Sequence, residues 1–117
     1  MVKATELRIG NYVWGGSDRH EQIAEIFRER VVTSFRGNLL NVSDYEDISP
    51  IEITQEILIK SGFTYIKSNK LEHDELGQFI SQGNGFYMTE VLPEMKYVHQ
   101  LQNAFYAFTG KEIEIKF

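Results

Sequence analysis

Arginine and aromatic residues lie close together in the stretch FRERVVTSFRGN (27–38), and this composition is typical of a binding surface. Arg28 and Arg30 stand two positions apart, a spacing that puts two side chains on one face of a strand. Arg36 follows beside Phe35 at a predicted turn. Guanidinium groups beside aromatic rings suit phosphate contacts and base stacking, and they also mark the centres of protein interfaces. The stretch therefore predicts a site for a protein or a nucleic acid.

Two other sets of residues bear on this prediction. Glu25 and Glu29 are close enough in sequence to pair with the arginines, which would make the stretch structural, and the sequence leaves that alternative open. Trp14, with Tyr12 and Tyr45, would extend a binding surface, because small barrels often bind through aromatic side chains near their loops.

Acidic residues and a histidine are concentrated in LEHDEL (71–76). Glu72, His73, Asp74 and Glu75 are potential ligands of a divalent cation, but a strand would send alternate side chains to opposite faces, and the glycine of an EF-hand loop is missing. We expect a solvated acidic hairpin and no metal site. The three carboxylates remain candidates for contact with a basic partner.

Four polar side chains share one face of a predicted C-terminal helix: His99, Gln102, Asn103 and Tyr106. They would form a recognition face, or they would bond to the neighbouring backbone where the helix meets a sheet. The second interpretation is favoured, because a buried polar group needs a partner whether or not it has a function.

Signatures of catalysis are missing from the sequence. It has no cysteine, its three histidines lie far apart, and it contains neither a zinc-binding HExxH nor a GxSxG elbow. The glycine pairs match neither a P-loop nor a dinucleotide fingerprint. We therefore predict a protein that is not an enzyme and that has no cofactor and no metal.

Length and charge narrow the class of protein. The 117 residues suit a single domain, and 42% of them are hydrophobic, as in folded proteins. The net charge of −5 opposes non-specific binding to nucleic acid and is compatible with a basic protein partner. No apolar run is long enough to cross a membrane, and no secretory signal is seen at the N-terminus, so a cytoplasmic protein is expected.

The elements that position these residues are predicted from local patterns. Residues 1–53 contain about five short runs of alternating or β-branched residues separated by turn signals, the first of them at Leu7 and Ile9. This favours a small, bent, SH3-like sheet. A helix over residues 20–30 is the alternative, because that segment is rich in helix formers.

The sequence of residues 54–117 predicts a region that contains both helices and strands. Thr54 is a candidate N-cap of a short helix that ends at Gly62, and residues 63–88 return to strands. Turn signals stand at residues 68–70 and 82–85.

A longer helix is predicted to begin near Pro93 and to end at Gly110. Its apolar stripe consists of Val98, Leu101, Phe105 and Phe108, widened by Tyr97 and Ala104. The alternating segment KEIEIKF (111–117) then predicts a closing strand. The fold class is α+β in one domain of residues 1–117: an SH3-like bent sheet (1–53), then helix, strands, helix and strand (54–117).

Three segments carry a resemblance to a known family: ELRIGNYV (6–13), IEITQEILIKSGF (51–63) and KYVHQLQNAFYAFTGKEIEI (96–115). The chain resembles short proteins of phages, prophages and mobile elements of gut bacteria, which end in a KYVHQLQNLYFALTGEEL-like segment. Residues 104–106 depart slightly from that pattern. The resemblance implies a bacterial host cell, but it implies no activity.

The functional hypothesis combines this origin with the charge. A small non-enzymatic accessory protein that binds and modulates a host protein is expected, and an inhibitor of a nuclease-based defence such as a CRISPR effector is a specific form of it. Such effectors carry basic nucleic-acid channels to which an acidic protein is steered. The alternative is a nucleic-acid-binding module that uses the arginines of residues 27–38.

Overall fold

The computed structural model describes residues 3–15, 19–37, 39–67, 70–75, 77–82, 85–88 and 95–117. It confirms the predicted α+β class. The chain divides into two compact units, Met1–Ile51 and Glu52–Phe117. The division lies close to the boundary predicted between the β-rich part and the mixed part.

Four strands form the sheet of the first unit: β1 (Tyr12–Trp14), β2 (His20–Ile26), β3 (Arg30–Phe35) and β4 (Leu39–Asp44). They pair antiparallel in chain order, so that β1 and β4 are its edge strands. A register shift between Ile23 and Glu25 interrupts the pairing of β2 with β3. A small antiparallel sheet is consistent with the predicted SH3-like part, and the SH3 assignment itself stays a prediction.

The first unit has its own apolar core, to which β1, β2 and β3 each contribute one branched side chain and the segments flanking the strands contribute two more. Its buried members are Leu7, Val13, Ile23, Val31 and Ile48. Ile26 and Tyr45 pack against them. The strict alternation of β1 and β3 produces this core, since Val13 and Val31 point inward while their neighbours do not.

Local predictions for the first unit are partly corrected. The predicted strand at Leu7 and Ile9 is wrong: a 3-10 helix at Ala4–Glu6 precedes a turn whose Gly10 has a φ of +97°. The helical alternative for residues 20–30 is also wrong, because β2 occupies most of that segment. After β4 comes a second 3-10 helix (Tyr45–Asp47), and Ser49 forms only an isolated bridge with Trp14.

The second unit contains a helix, a four-stranded sheet and a longer helix. Its elements are α1 (Gln55–Lys60), β5 (Thr64–Lys67), β6 (Lys70–His73), β7 (Gly77–Gln82), β8 (Gly85–Met88) and α2 (Val98–Thr109). The four strands pair antiparallel in chain order. The predicted order of helix, strands and helix is thus confirmed.

The predicted N-cap of α1 and the predicted glycines after both helices are confirmed, but the predicted start of the longer helix near Pro93 is wrong, because α2 begins at Val98 with Tyr97 as its N-cap. The Thr54 hydroxyl accepts a hydrogen bond from the Ile57 N–H at 3.1 Å, as an N-cap does. Gly62 and Gly110 follow α1 and α2 with φ values of +105° and +71°, in the left-handed region that glycine adopts without strain.

Helix α2 buries most of the predicted stripe. Val98, Leu101 and Phe105 are buried, whereas Phe108 is 50% exposed. The stripe therefore ends one turn earlier than the spacing predicts, and the last turn of α2 leaves an aromatic side chain in solvent.

The predicted closing strand at residues 111–117 is wrong, since these residues pair with no strand in the described part of the chain. The alternation itself is real: Ile113 and Ile115 are buried, while Glu112, Glu114 and Lys116 are exposed. Ser61 holds this segment, because its hydroxyl accepts from the Lys116 N–H at 3.0 Å. An extended segment can bury alternate side chains without pairing with a strand.

Three predicted features lie wholly or partly outside the described residues: the turn at residues 68–70, the turn at residues 82–85, and Pro93. Among the helices of the described residues, none is long and apolar enough to span a membrane.

Candidate functional site

Two arginines share one aromatic ring at the end of the first sheet where β3 passes into β4. The guanidinium carbon of Arg19 lies 4.3 Å from the centre of the Phe35 ring, and that of Arg36 lies 5.1 Å from it. Both distances are within the range of cation–π attraction. We call Arg19, Phe35 and Arg36 the arginine–aromatic cluster.

The backbone of Arg36 is held in an unusual conformation. Its φ is +55°, the one positive value found at a non-glycine residue of the described chain. Left-handed backbone costs a residue with a β-carbon roughly 1–2 kcal/mol. The side chain is exposed, so no burial offsets this cost. Strained residues of this kind are concentrated at functional sites.

Glu21 anchors the cluster from inside the sheet. Its side chain is 1% exposed, and its Oε1 accepts hydrogen bonds from the Thr33 hydroxyl at 2.6 Å and from the Asn41 amide at 3.1 Å. Its Oε2 lies 3.6 Å from Arg19 Nε. A buried carboxylate requires such partners. Glu21 therefore places a carboxylate beside Arg19 as an ion pair too long for a hydrogen bond, and the Arg19 guanidinium lies over the Phe35 ring.

Gly15 leaves the space that the Glu21 carboxylate occupies. A β-carbon at position 15 would lie 2.1 Å from Glu21 Oε2, a distance shorter than any real contact. The backbone of Gly15 is itself buried. A side chain at position 15 is thus incompatible with the present position of the carboxylate.

Trp14 lies at the same end of the sheet but on the other face. It pairs across the β1–β2 ladder with His20, and the two ring centres are 4.3 Å apart. His20 and Glu21 are consecutive strand residues and point to opposite faces, and Glu21 shares its face with Thr33 and hence with Phe35. Burial lowers the pKa of His20 below its ordinary value. Trp14 and Phe35 therefore do not form one surface.

Arg28 and Arg30 lie at the far end of β3 from Arg36. Arg30 is the first residue of β3 and Arg28 lies in the bend before it, so the predicted shared strand face does not form. With about 3.3 Å per strand residue, Arg30 and Phe35 are roughly 16 Å apart along β3. Tyr45 belongs to this end too, where its hydroxyl donates to the Phe27 carbonyl. The structure thus divides the predicted surface into two.

The predicted acidic residues are exposed at the β6–β7 hairpin of the second unit. Glu72 is on β6, and Asp74 and Glu75 follow it. Glu75 Oε1 lies 3.8 Å from Lys111 Nζ, and the Glu75 N–H donates to His73 Nδ1 at 3.1 Å. Among the described residues, no group of three or more His, Asp or Glu side chains has the geometry of a metal site.

The polar face of α2 divides into a buried half and an exposed half. His99 and Gln102 are 1% and 2% exposed, while Tyr106 is 46% exposed. The ring of His99 stacks on that of Tyr97, with 5.9 Å between the centres. Asn103 is half-buried. The buried half agrees with a scaffold role, and the four side chains do not present one continuous exposed face.

Arg19, Glu21 and Gly15 were not singled out from the sequence. The available signal was the alternation of EQIAEI, which puts Glu21 in phase with buried Ile23. A glutamate on the apolar face of a strand predicts a buried carboxylate that needs a cation.

Comparison with known proteins adds no relative. The chain matches no protein-family model, no curated protein and no solved structure. The resemblance to short phage and mobile-element proteins accordingly stays a prediction.

Proposed function

We propose that this chain is a small non-enzymatic protein that binds another protein and modulates it, with the arginine–aromatic cluster at the centre of the contact. The observation that carries this proposal is Arg36, an exposed arginine in left-handed backbone whose guanidinium lies over an aromatic ring. Glycine or asparagine would relieve the backbone strain. An arginine in this place is therefore better explained by binding than by stability.

The neighbourhood of Arg36 supports a protein as the partner. Phe35 is half-buried, and the Arg19 guanidinium lies between the Glu21 carboxylate and the Phe35 ring, contacts that restrict both side chains before a partner arrives. Arginine and aromatic side chains dominate the energetics of protein interfaces, and preorganisation lowers the entropic cost of binding.

The specific form of the proposal is an inhibitor of a nuclease-based defence of a bacterial host, such as a CRISPR effector, acting in the cytoplasm. Its support is the resemblance to phage proteins together with the charge. Residues 1–51 carry six Lys and Arg against eight Asp and Glu, and residues 52–117 carry six against nine. Both units are acidic, and acidic surfaces accelerate encounters with a basic partner. Glu72, Asp74 and Glu75 are the candidates for this steering.

A nucleic-acid ligand is the second candidate, because Arg36 beside Phe35 also suits a phosphate and a stacked base. The separation of Arg28 and Arg30 from Arg36 and the acidity of both units weigh against it. Binding to phosphates would fall steeply with salt.

The test is a pull-down from lysate of a bacterial host with the tagged protein, with and without nuclease, followed by identification of proteins and nucleic acids. A stoichiometric protein that remains after nuclease treatment supports the proposal. If the captured material disappears on nuclease treatment and on addition of salt, the result supports the nucleic-acid candidate instead.

A further inference from the structure

The outer strand of the first sheet exposes an apolar strip. Leu40 and Val42 are 63% and 65% exposed, and they stand two residues apart on the same face of β4. Val32, the neighbour of Val42 across the ladder, is half-buried and continues the strip onto β3. These positions are on the opposite sheet face from Glu21 and Phe35, so the strip is separate from the arginine–aromatic cluster.

The open edge of β4 lacks the usual protection against pairing. Its pairing with β3 runs from Phe35↔Leu39 to Arg30↔Asp44 without a bulge. The strand contains neither lysine nor proline, the residues that commonly guard sheet edges. In the described part of the chain, no strand other than β3 pairs with β4. A regular, unguarded, apolar edge is a template for another strand.

The sequence of β4 is complementary to itself. When two copies pair antiparallel about Asn41, Leu40 of each strand stands opposite Val42 of the other, and all four side chains lie on the outer face. The one charge of the strand, Asp44, is at its end, where it is already opposite Arg30 on β3. Two copies therefore meet without like charges facing each other along the strand.

We propose that the protein forms a two-fold dimer in which the β4 strands of two copies pair antiparallel about Asn41, giving a continuous eight-stranded sheet. This inference is independent of the proposed function, because it uses other residues. Six residues per copy are far fewer than the roughly 20–30 of a standard interface, so the dissociation constant is expected in the micromolar range or above, on the order of 100 µM.

The first test is the mass in solution by analytical ultracentrifugation over a wide concentration range. We expect the weight-average mass to rise from 13.6 kDa towards twice that value as the concentration passes the dissociation constant. Leu40→Lys and Val42→Lys should each raise the dissociation constant at least tenfold. Ile9→Lys is the matched control, since Ile9 is 63% exposed and outside β4, and it should dimerise as the wild type does. A wild type that stays monomeric at millimolar concentration overturns the proposal.

A second test reports the register and does not depend on lysine variants folding. The chain has no cysteine, so Leu40→Cys and Val42→Cys each introduce a single thiol. Facing residues of an antiparallel pair have Cα atoms about 4.5–5.5 Å apart, within disulfide range. When equal amounts of the two variants, carrying different tags, are mixed under oxidation, the mixed disulfide should exceed the two homodimeric disulfides by clearly more than the 1:2:1 ratio of random pairing. A ratio of 1:2:1, or no disulfide, contradicts the pairing about Asn41.

Discussion

Glu21 is an almost completely buried carboxylate. The free energy of unfolding that is lost when its side chain is removed depends on the groups that it contacts. Glu21→Ala leaves the Thr33 hydroxyl and the Asn41 amide without their acceptor and Arg19 without its counter-ion. We expect the free energy of unfolding to fall by about 2–4 kcal/mol, measured by urea denaturation. Glu25→Ala, at an exposed position of the same strand, should change it by less than about 0.5 kcal/mol. Equal effects of the two substitutions would contradict the assignment of Glu21.

A substitution at Gly15 tests the packing of the Glu21 carboxylate against the backbone of β1 and the residue that follows it. Gly15→Ala places a methyl group where Glu21 Oε2 lies, and we expect a loss of about 1–3 kcal/mol of unfolding free energy. Because the clash is with the carboxylate, the same substitution should cost much less in a Glu21→Ala background. A double-mutant cycle measures this coupling, and additive losses would show that the glycine is needed for another reason.

We expect His20 to make the free energy of unfolding depend on pH. Burial lowers its pKa from the ordinary value of 6.5, so the folded protein binds this proton less readily than the unfolded chain does. The stabilisation is complete above pH 6.5 and is lost as the pH falls from that value through the lower pKa of the folded state.

The measurement is the free energy of unfolding at about pH 7.5 and 5.5 for the wild type and His20→Gln. The decrease on acidification should be smaller in the variant. All other residues are the same in both proteins, so their contributions cancel in the comparison. An equal decrease in both would exclude His20 as the source.

At the scale of elements, the start of α1 depends on one side chain. Thr54→Ala removes the acceptor for the Ile57 N–H, and we expect a loss of about 1 kcal/mol of unfolding free energy. Thr64→Ala, at an exposed strand position, is the control. If the two substitutions cost the same, the cap adds nothing beyond the loss of a threonine.

Elements with local chemical signals were predictable from the sequence. The cap at Thr54, the glycines after both helices and the short strands are set by backbone geometry, which depends on few neighbouring residues. The segment 111–117 shows the limit of this approach: alternation predicts which side chains are buried, but strand pairing depends on a partner far away in sequence.

The candidate site was predictable only in part, for a similar reason. Phe35 and Arg36 are adjacent in sequence, so their proximity needed no fold. Arg19 lies near them only because β2 pairs with β3. Arg28 and Arg30 lie outside this surface, because the length of β3 separates them from Arg36. Contacts across strands depend on register, which the local pattern of one segment does not contain.

At the scale of the whole molecule, the proposed function gives charge and site different roles. Both units are acidic, which would favour a basic partner during encounter, whereas Arg36 and Phe35 are proposed to supply the short-range contact. Long-range electrostatic steering changes the association rate, whereas the short-range contacts of Arg36 and Phe35 with a partner change the dissociation rate. Neutralising Glu72, Asp74 and Glu75 should therefore slow binding, and altering Arg36 should shorten the lifetime of the complex.

The most direct test of the central claim compares Arg36→Asn with Arg28→Asn, two exposed arginines of the first unit, in binding to the captured partner by biolayer interferometry. Asparagine tolerates the left-handed backbone at position 36, so that variant should be as stable as the wild type or more stable. We predict that Arg36→Asn weakens binding by at least tenfold while Arg28→Asn leaves it within about twofold. Unchanged affinity in a folded Arg36→Asn protein, or equal losses in both variants, would contradict a binding role centred on the arginine–aromatic cluster.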